Sequence, residues 1–261
     1  MGHGLCKEPK KVTKVGGKVT VKEHYDNFLA KYYSWMFGDF EAKVQENINF
    51  FKEHHVVPTK SGRAVDLGCG SGFQSIALSD LGFRVLSIDQ SFILLDELKQ
   101  RRELRDIEIV HGDVLFLQDH LSDQVEAITC MGDTLTHLDS LSKIEELFRT
   151  VYMSLEVGGR LFLTFRDMTE ELKGINKIIP VRADEHVIMT CFLEYEGQHV
   201  NVHDIIYVRT QTGWELNKSS YKKIRVGVGW AKGELEKSGF HIVFEENTKG
   251  FSTIVALKQE R

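Results

Sequence analysis

Residues 66–72 read Asp-Leu-Gly-Cys-Gly-Ser-Gly, and this stretch decides the fold. The apolar run Arg63–Leu67 leads into it and predicts a short buried strand, whereas Phe73–Asp80 after it has a helical pattern. Alternate glycines permit a tight turn and let a ligand touch the backbone, because no Cβ intervenes. The helix that follows presents free N–H groups and a partially positive end. This order of elements predicts a ligand site at the turn.

The spacing of the glycines distinguishes between two kinds of ligand. A dinucleotide-binding loop carries its third glycine three residues after the second, and here that position is Phe73. The spacing Gly68, Gly70 and Gly72 instead fits a loop that lies against an amino-acid moiety. Because a glycine pattern alone is weak evidence, the neighbouring strand ends must supply the rest.

Outward from the loop, short β-branched runs alternate with helical patterns. This alternation is typical of βαβ units and predicts an α/β fold, with a seven-stranded, mostly parallel sheet and helices on both faces. Gly158-Gly159 is expected to break the chain before the fifth strand. The other predicted strands are Arg84–Ile88, Ile107–Val110, Val125–Cys130, Arg160–Phe165, His241–Glu245 and Thr253–Leu257, and the other helices are Ser91–Arg105, Leu141–Leu155 and Lys232–Ser238.

Two segments depart from this alternation. Residues 21–38 carry aromatic and apolar side chains at helical spacing, and a second helix follows that must end before Pro58. These helices predict an N-terminal helical lid. Residues 186–226 alternate polar and apolar positions between turn signals, which predicts an antiparallel β insert at about residues 180–226.

The composition excludes several classes of protein. The chain has 261 residues, 42% hydrophobic residues and a net charge of −5, which is typical of a soluble globular protein and disfavours nucleic acid as a partner. Residues 1–20 are rich in lysine and predict a disordered basic tail, which leaves residues 21–261 as the folded domain. Without paired cysteines, metal-ligand spacing or a membrane span, we expect a cytoplasmic protein with no metal; an oligomer remains possible.

Carboxylates stand at the ends of three successive predicted strands. Asp66 lies in the first, Asp89 follows the second and Asp113 follows the third. In an open α/β sheet these carboxyl ends meet at one edge, where ligands bind. An acid after the second strand can accept hydrogen bonds from two ribose hydroxyls, and one after the third can meet an adenine amino group. With the glycine loop, these acids predict a nucleoside site for S-adenosylmethionine.

At this point the chain resembles a known family over about residues 22–258. It looks like a class I, Rossmann-like S-adenosylmethionine-dependent methyltransferase and is similar to the glycine and sarcosine N-methyltransferases. The matching stretches are Tyr25-Asp26, Phe37-Gly38-Asp39, Leu81-Gly82-Phe83-Arg84-Val85, Gly132-Asp133-Thr134-Leu135-Thr136-His137-Leu138 and Thr164-Phe165-Arg166-Asp167.

The resemblance implies a set of cofactor contacts. In the family's pattern the glycine loop cradles the methionine end of the cofactor, the acid after strand two holds the ribose, and the next strand end meets adenine. The residues at these positions are Gly68, Cys69, Gly70, Asp89, Gln90, Asp113 and Val114, with Met131 near the sulfonium and Lys43 where the family has an arginine for the cofactor carboxylate. Asp66, the acid of the first strand, completes the expected cofactor site.

The resemblance also implies residues that contact the methyl acceptor. Tyr25 matches a tyrosine that faces the active site, and Arg166 matches the arginine that fixes a substrate carboxylate. His137 is a candidate base near neutral pH, although a structural role is at least as plausible. Asp133 replaces an asparagine of the glycine enzymes, and its charge is expected to favour a cationic or non-carboxylate acceptor.

The predicted function is methyl transfer from S-adenosylmethionine to a small polar acceptor, an amine in the first instance. Three alternatives stay open at this stage: an O-methyltransferase, a non-catalytic S-adenosylmethionine-binding protein and an NAD-dependent dehydrogenase. Phe73 and Asp113 disfavour the dehydrogenase.

Overall fold

The computed structural model describes residues 19–248 and 250–260, and within them the large β-sheet has seven strands. Its strands are β1 (Arg63–Leu67), β2 (Arg84–Asp89), β3 (Ile107–His111), β4 (Val125–Cys130), β5 (Leu155–Arg166), β10 (Phe240–Thr248) and β11 (Phe251–Lys258). Their order in the sheet is β10-β11-β5-β4-β1-β2-β3, in which β1 to β5 run parallel and β10 and β11 are antiparallel to their neighbours.

Helices cover both faces of this sheet because successive strand residues point to opposite sides. Val65 and Leu67 of β1 face the apolar core under α6 (Leu141–Ser154) and α7 (Val228–Ser238), while Ala64 faces the second core. That second core lies under α3 (Phe40–Glu53), α4 (Phe73–Asp80) and α5 (Phe92–Arg101). The predicted mostly parallel α/β sheet is confirmed.

A smaller sheet of four antiparallel strands, in the described part of the chain, corresponds to the predicted insert. Its strands are β6 (Ile178–Ala183), β7 (Val187–Glu196), β8 (His199–Thr210) and β9 (Gly213–Ile224). One face packs on residues 21–37, which we call the lid: α1 (Val21–His24), a π-helical turn (Tyr25–Leu29) and α2 (Ala30–Phe37). Gly38, at φ +91°, ends the lid as expected.

Several element boundaries differ from the predictions. Gly158 and Gly159 do not interrupt the fifth strand: β5 passes through them with an irregularity in its register with β4. Gly159 has no room for a side chain there, because a Cβ would approach two carbonyl oxygens at 2.9 and 3.0 Å. Likewise α7 begins at Val228, whose N–H donates to Asp167 at 3.0 Å.

The described part of the chain begins just before α1. Thr20 caps α1 by accepting from the Glu23 amide, whereas the predicted basic tail, apart from its last two residues, lies outside the described residues. No helix in the part of the chain that the structure describes is long and apolar enough to cross a membrane.

Candidate active site

A cleft opens at the carboxyl ends of the parallel strands, beneath the lid. β1 lies between β2 and β4, so the strand order reverses at this point and the ends of the strands diverge. The cleft holds about 730 Å³ of empty space when counted out to bulk solvent. Its walls are formed by Val21, Lys22, Tyr25, Tyr33, Gly68, Gly70, Asp89, Gln90, Ser91, Leu94, Asp113, Val114, Asp133, Thr134, His137 and Leu138.

The glycine loop forms one wall of the cleft as bare backbone. Gly68 and Gly70 have φ of +69° and +51°, and the Gly68 amide donates to the Ile88 carbonyl at 2.8 Å, which holds the loop against β2. A Cβ on Gly68 would approach the Thr134 hydroxyl at 2.2 Å, and one on Gly70 would meet the Tyr33 ring at 3.1 Å. Both positions therefore require glycine for conformation and for space.

Asp89 ends β2 inside the cleft. Its two oxygens accept from the Gly70 amide at 2.9 Å and the Ser91 amide at 2.8 Å, so the side chain is fixed in place. Burial raises the pKa of this carboxyl, and the amide hydrogen bonds oppose that shift. Each oxygen retains a lone pair that could accept from a vicinal diol.

The next strand end supplies a polar group beside an apolar surface. Asp113 uses one oxygen to accept from the Leu115 amide at 3.0 Å, which caps the 3-10 helix Val114–His120. Val114 is nearly buried and Gln90 is exposed, and both line the cleft. A flat heterocycle with an amino group matches this combination of an apolar floor and a carboxylate edge.

Asp66 does not line the cleft, unlike the other two strand-end carboxylates. Its side chain is 1% exposed, and its carboxylate accepts from Ser75 at 2.6 Å and Thr129 at 2.7 Å. Burial raises its pKa to about 6. Asp66 thus joins β1 to α4 and β4 behind the glycine loop, and its contact with the cofactor stays a prediction.

Three other predicted cofactor residues also lie outside the walls of the cleft. Cys69 is 3% exposed within the core, and Met131 packs against the same core. Lys43 pairs with Glu46 at 2.6 Å along the surface of α3. Their cofactor contacts stay predictions.

The wall below the lid brings together Tyr25 and His137, two of the predicted acceptor residues. The Tyr25 hydroxyl lies 3.3 Å from His137 Nε2, and the rings meet edge to face. Burial raises the pKa of Tyr25 well above its usual value and lowers that of His137 to about 3. The lowered pKa favours a neutral His137 at physiological pH, and its role as a base stays a prediction. Its Nδ1 is buried without a hydrogen-bond partner among the described residues.

Asp133 lies in the same wall and is held by two donors. Its Oδ1 accepts from the Arg166 amide at 2.9 Å, and its Oδ2 lies 2.7 Å from Lys223 Nζ. Burial alone would raise the pKa of this carboxyl, but the Lys223 ammonium, through its charge and its hydrogen bond, lowers the pKa to about 2. The charge of Asp133 is therefore compensated, so the expected preference for a cationic acceptor loses its basis.

Lys223 is the residue that sequence reasoning missed. Its side chain is 7% exposed and faces inward from β9, in the same alternation as buried Tyr221, while Lys222 between them is exposed. A lysine at an inward position of an amphipathic strand was the available signal, because such a charge needs a buried partner.

Arg166, the last residue of β5, adds a second cation beside this wall. Its guanidinium lies over the Phe251 ring at 5.7 Å, and no carboxylate among the described residues lies within ion-pair distance of it. Arg166 does not itself line the cleft, but its charge acts on Asp133.

Comparisons with known proteins agree with this geometry. A family profile described as a methyltransferase domain matches residues 64–159, which include the glycine loop, Asp89, Asp113 and Asp133. A cypemycin N-terminal methyltransferase from Streptomyces is 31% identical over 144 residues, which are 53% of this chain and 58% of that protein. A glycine/sarcosine N-methyltransferase from Aphanothece halophytica is 28% identical over 161 residues, 58% of each chain. The chain thus spans little more than half the length of these curated relatives.

Solved structures show the same fold. A methyltransferase described as S-adenosylmethionine-dependent, from Clostridium acetobutylicum, superposes with a TM-score of 0.71 at 16% identity, over 90% of this chain and 99% of that one. An amino pentose methyltransferase from Micromonospora echinaspora, solved with S-adenosylmethionine bound, superposes with a TM-score of 0.72 at 15% identity, over 88% and 97%.

Proposed function

We propose that this chain, which carries a class I S-adenosylmethionine-dependent methyltransferase domain on a Rossmann-like fold, transfers a methyl group to a small amine that bears an anionic group. One observation carries the proposal. A single cleft joins the glycine loop and the carboxylates Asp89 and Asp113 to a second wall made of Tyr25, Asp133 and His137. The first wall fits a cofactor, and the second is available for an acceptor.

The residues of the first wall fit S-adenosylmethionine, the cofactor of this class. Gly68 and Gly70 offer backbone that no Cβ shields, and fixed Asp89 offers free lone pairs for the ribose hydroxyls. Asp113 and Val114 offer a carboxylate edge and an apolar surface for adenine. When bound, the cofactor supplies a methyl group already activated by a sulfonium charge.

The protein's own contribution is alignment of the acceptor and exclusion of water. In-line transfer between two held groups gains from high effective concentration and needs no strong base when the amine arrives neutral. The pKa values of the second wall agree with this, since that of His137 falls to about 3, that of Asp133 to about 2, and that of Tyr25 rises. Tyr25 and neutral His137 then hold the amine through hydrogen bonds, and the amine's proton leaves to solvent.

The charges around the second wall support an acceptor with an anionic group. Lys223 compensates Asp133, which leaves the Arg166 guanidinium as a cation without a carboxylate partner among the described residues. Arg166 lies beside the second wall without lining the cleft, so an acceptor carboxylate that reaches past Asp133 could form a bidentate pair with it. The glycine/sarcosine N-methyltransferases among the relatives act, by their names, on acceptors of this chemistry.

The test is an acceptor panel with S-adenosylmethionine labelled in the methyl group. We expect label in glycine or sarcosine, and little in ethanolamine or methylamine, which lack the carboxylate. Arg166→Met should raise KM for the carboxylate-bearing amine much more than it lowers kcat. Label only in hydroxyl acceptors would replace the proposal with O-methylation, and cofactor binding without any transfer would favour a binding protein.

A further inference from the structure

A row of three polar side chains crosses the inner face of the small sheet. Cys191 on β7, Asp204 on β8 and Ser219 on β9 are cross-strand partners in register, so their side chains point to the same face. Asp204 is 2% exposed, and its Oδ1 accepts from the Cys191 thiol at 3.0 Å. A buried carboxylate in this place requires further donors.

His24 of the lid provides the second donor. Its side chain is fully buried, its Nε2 lies 2.9 Å from Asp204 Oδ2, and its Nδ1 lies 2.8 Å from the Ser219 hydroxyl. Its ring also stacks on Tyr221 with the centroids 4.2 Å apart. Both ring nitrogens are thus satisfied, and the lid is attached to the small sheet at one defined point.

This attachment is adjacent to the part of the lid that enters the cleft. His24 ends α1, and Tyr25 begins the π-helical turn. Successive side chains of a helix point in different directions, and here His24 points into the small sheet while Tyr25 points at His137. Tyr221 contacts the rings of all three residues.

We propose that His24 and Asp204 are positioning residues for Tyr25, so that the buried pair fixes the lid in the one register that holds the Tyr25 hydroxyl against His137. This inference rests on the proposed function in so far as Tyr25 contacts the acceptor. A hydrogen-bonded pair is suited to this role because it is satisfied in one register only, whereas apolar packing tolerates sliding.

The test is a double-mutant cycle between His24 and Tyr25. His24→Phe keeps an aromatic ring over Tyr221 and removes both hydrogen bonds; misplacing Tyr25 should lower kcat on the order of ten- to a hundredfold. In a Tyr25→Phe background, where no hydroxyl remains to be positioned, the same substitution should lower kcat no further. Equal losses in both backgrounds would overturn the proposal, because a merely structural role acts independently of the hydroxyl.

Trp35→Phe is the matched control. It removes another hydrogen bond between the lid and the region of the small sheet, from Trp35 Nε1 to Asp184 at 2.5 Å, at a distance from Tyr25 along the lid. We expect its kcat to equal that of the wild type. A loss as large as that of His24→Phe would contradict a specific role of His24.

Two further measurements keep the inference testable when folding or activity fails. If His24→Phe does not fold, Asp204→Asn, which keeps an acceptor oxygen for His24, should retain the kcat that Asp204→Ala loses; equal losses would overturn the proposal. If the wild type methylates no amine, the proposed function fails, but hydrogen exchange still decides the inference. Amides of residues 25–29 should exchange faster in His24→Phe and not in Trp35→Phe, and unchanged exchange would refute the attachment.

Discussion

At the scale of single residues, the charge of the second wall depends on the ion pair between Lys223 and Asp133, which lie 90 positions apart in the chain. Removing one partner of a buried ion pair is costly because the other charge is left in a poorly solvated place. Asp133 could be predicted from the stretch Gly132–Leu138, and the strand pattern marks Lys223 as an inward charge, but the pairing of the two could not be predicted, because only the folding of β9 onto the loop after β4 brings them together. A local sequence motif therefore identifies one residue of a long-range ion pair but not its partner.

Lys223→Met should damage both stability and acceptor binding. Uncompensated Asp133 would repel an anionic acceptor, so we expect KM for the carboxylate-bearing amine to rise about tenfold, and the free energy of unfolding to fall by about 2–3 kcal/mol. Steady-state kinetics and urea unfolding measure these changes. Lys222→Met, which breaks the exposed pair with Glu196, should cost less than about 1 kcal/mol and leave KM unchanged. Equal effects of both substitutions would contradict the account.

His137 should make the protein less stable in mild acid. Its pKa is about 3 in the folded protein, below the usual 6.5, because burial disfavours the imidazolium. Between pH 6.5 and pH 3 the unfolded chain binds a proton at His137 that the folded protein does not bind. The contribution of neutral His137 to the free energy of unfolding is therefore complete above pH 6.5 and is lost as the pH falls. From about pH 7 to pH 5, wild type should lose up to about 2 kcal/mol more than His137→Gln. Urea unfolding at each pH measures this difference. An equal loss of unfolding free energy in the two proteins between about pH 7 and pH 5 would show that His137 is not held neutral.

At the scale of elements, the strand, glycine loop and helix around residues 63–80 could be predicted to their boundaries, because each is set by local signals. The π-helical turn of the lid could not, since the spacing of its apolar residues does not distinguish one π-helical turn from a continuous α-helix. Asp66 shows the same limit: its place in the strand was predicted, but which polar groups would surround its carboxylate was not.

Gly70→Ala should weaken cofactor binding because it displaces the backbone of the glycine loop. Gly70 has φ +51°, and a Cβ would press on Tyr33 at 3.1 Å, so the loop would have to shift within the cleft. We expect the Kd for S-adenosylmethionine, measured by calorimetry, to rise about tenfold, equivalent to about 1.4 kcal/mol.

Gly82→Ala is the control for backbone strain alone. Gly82 has φ +99°, but its nearest neighbour for a Cβ is Pro58 at 3.5 Å, outside the cleft. This variant should lose about 1 kcal/mol of stability with an unchanged Kd. Weaker binding in Gly82→Ala, or wild-type binding in Gly70→Ala, would contradict the assignment of the loop.

At the scale of the whole molecule, the cleft lies between the strand ends of the large sheet and the lid, and the small sheet packs against the lid. The lid is tied to the large sheet through Asp26, which accepts from Ser91 at 2.8 Å beside Asp89, and to the small sheet through His24. The lid is therefore the short segment that joins the large sheet, beside the cofactor residues, to the small sheet. The large sheet, the lid and the small sheet could each be predicted from the sequence, but the contacts of Asp26 and His24 that join them appear only in the folded chain.

The central claim is that the carboxylate at the end of β2 and the glycine loop hold S-adenosylmethionine, and isothermal titration tests it most directly. We expect the wild type to bind the cofactor, and Asp89→Asn to bind it about ten- to a hundredfold more weakly, because charge-assisted hydrogen bonds to the ribose are lost. Asp106→Asn, which removes an exposed carboxylate paired with Arg84, should bind like the wild type. No heat of binding in the wild type, or equal affinities for wild type and Asp89→Asn, would contradict the account.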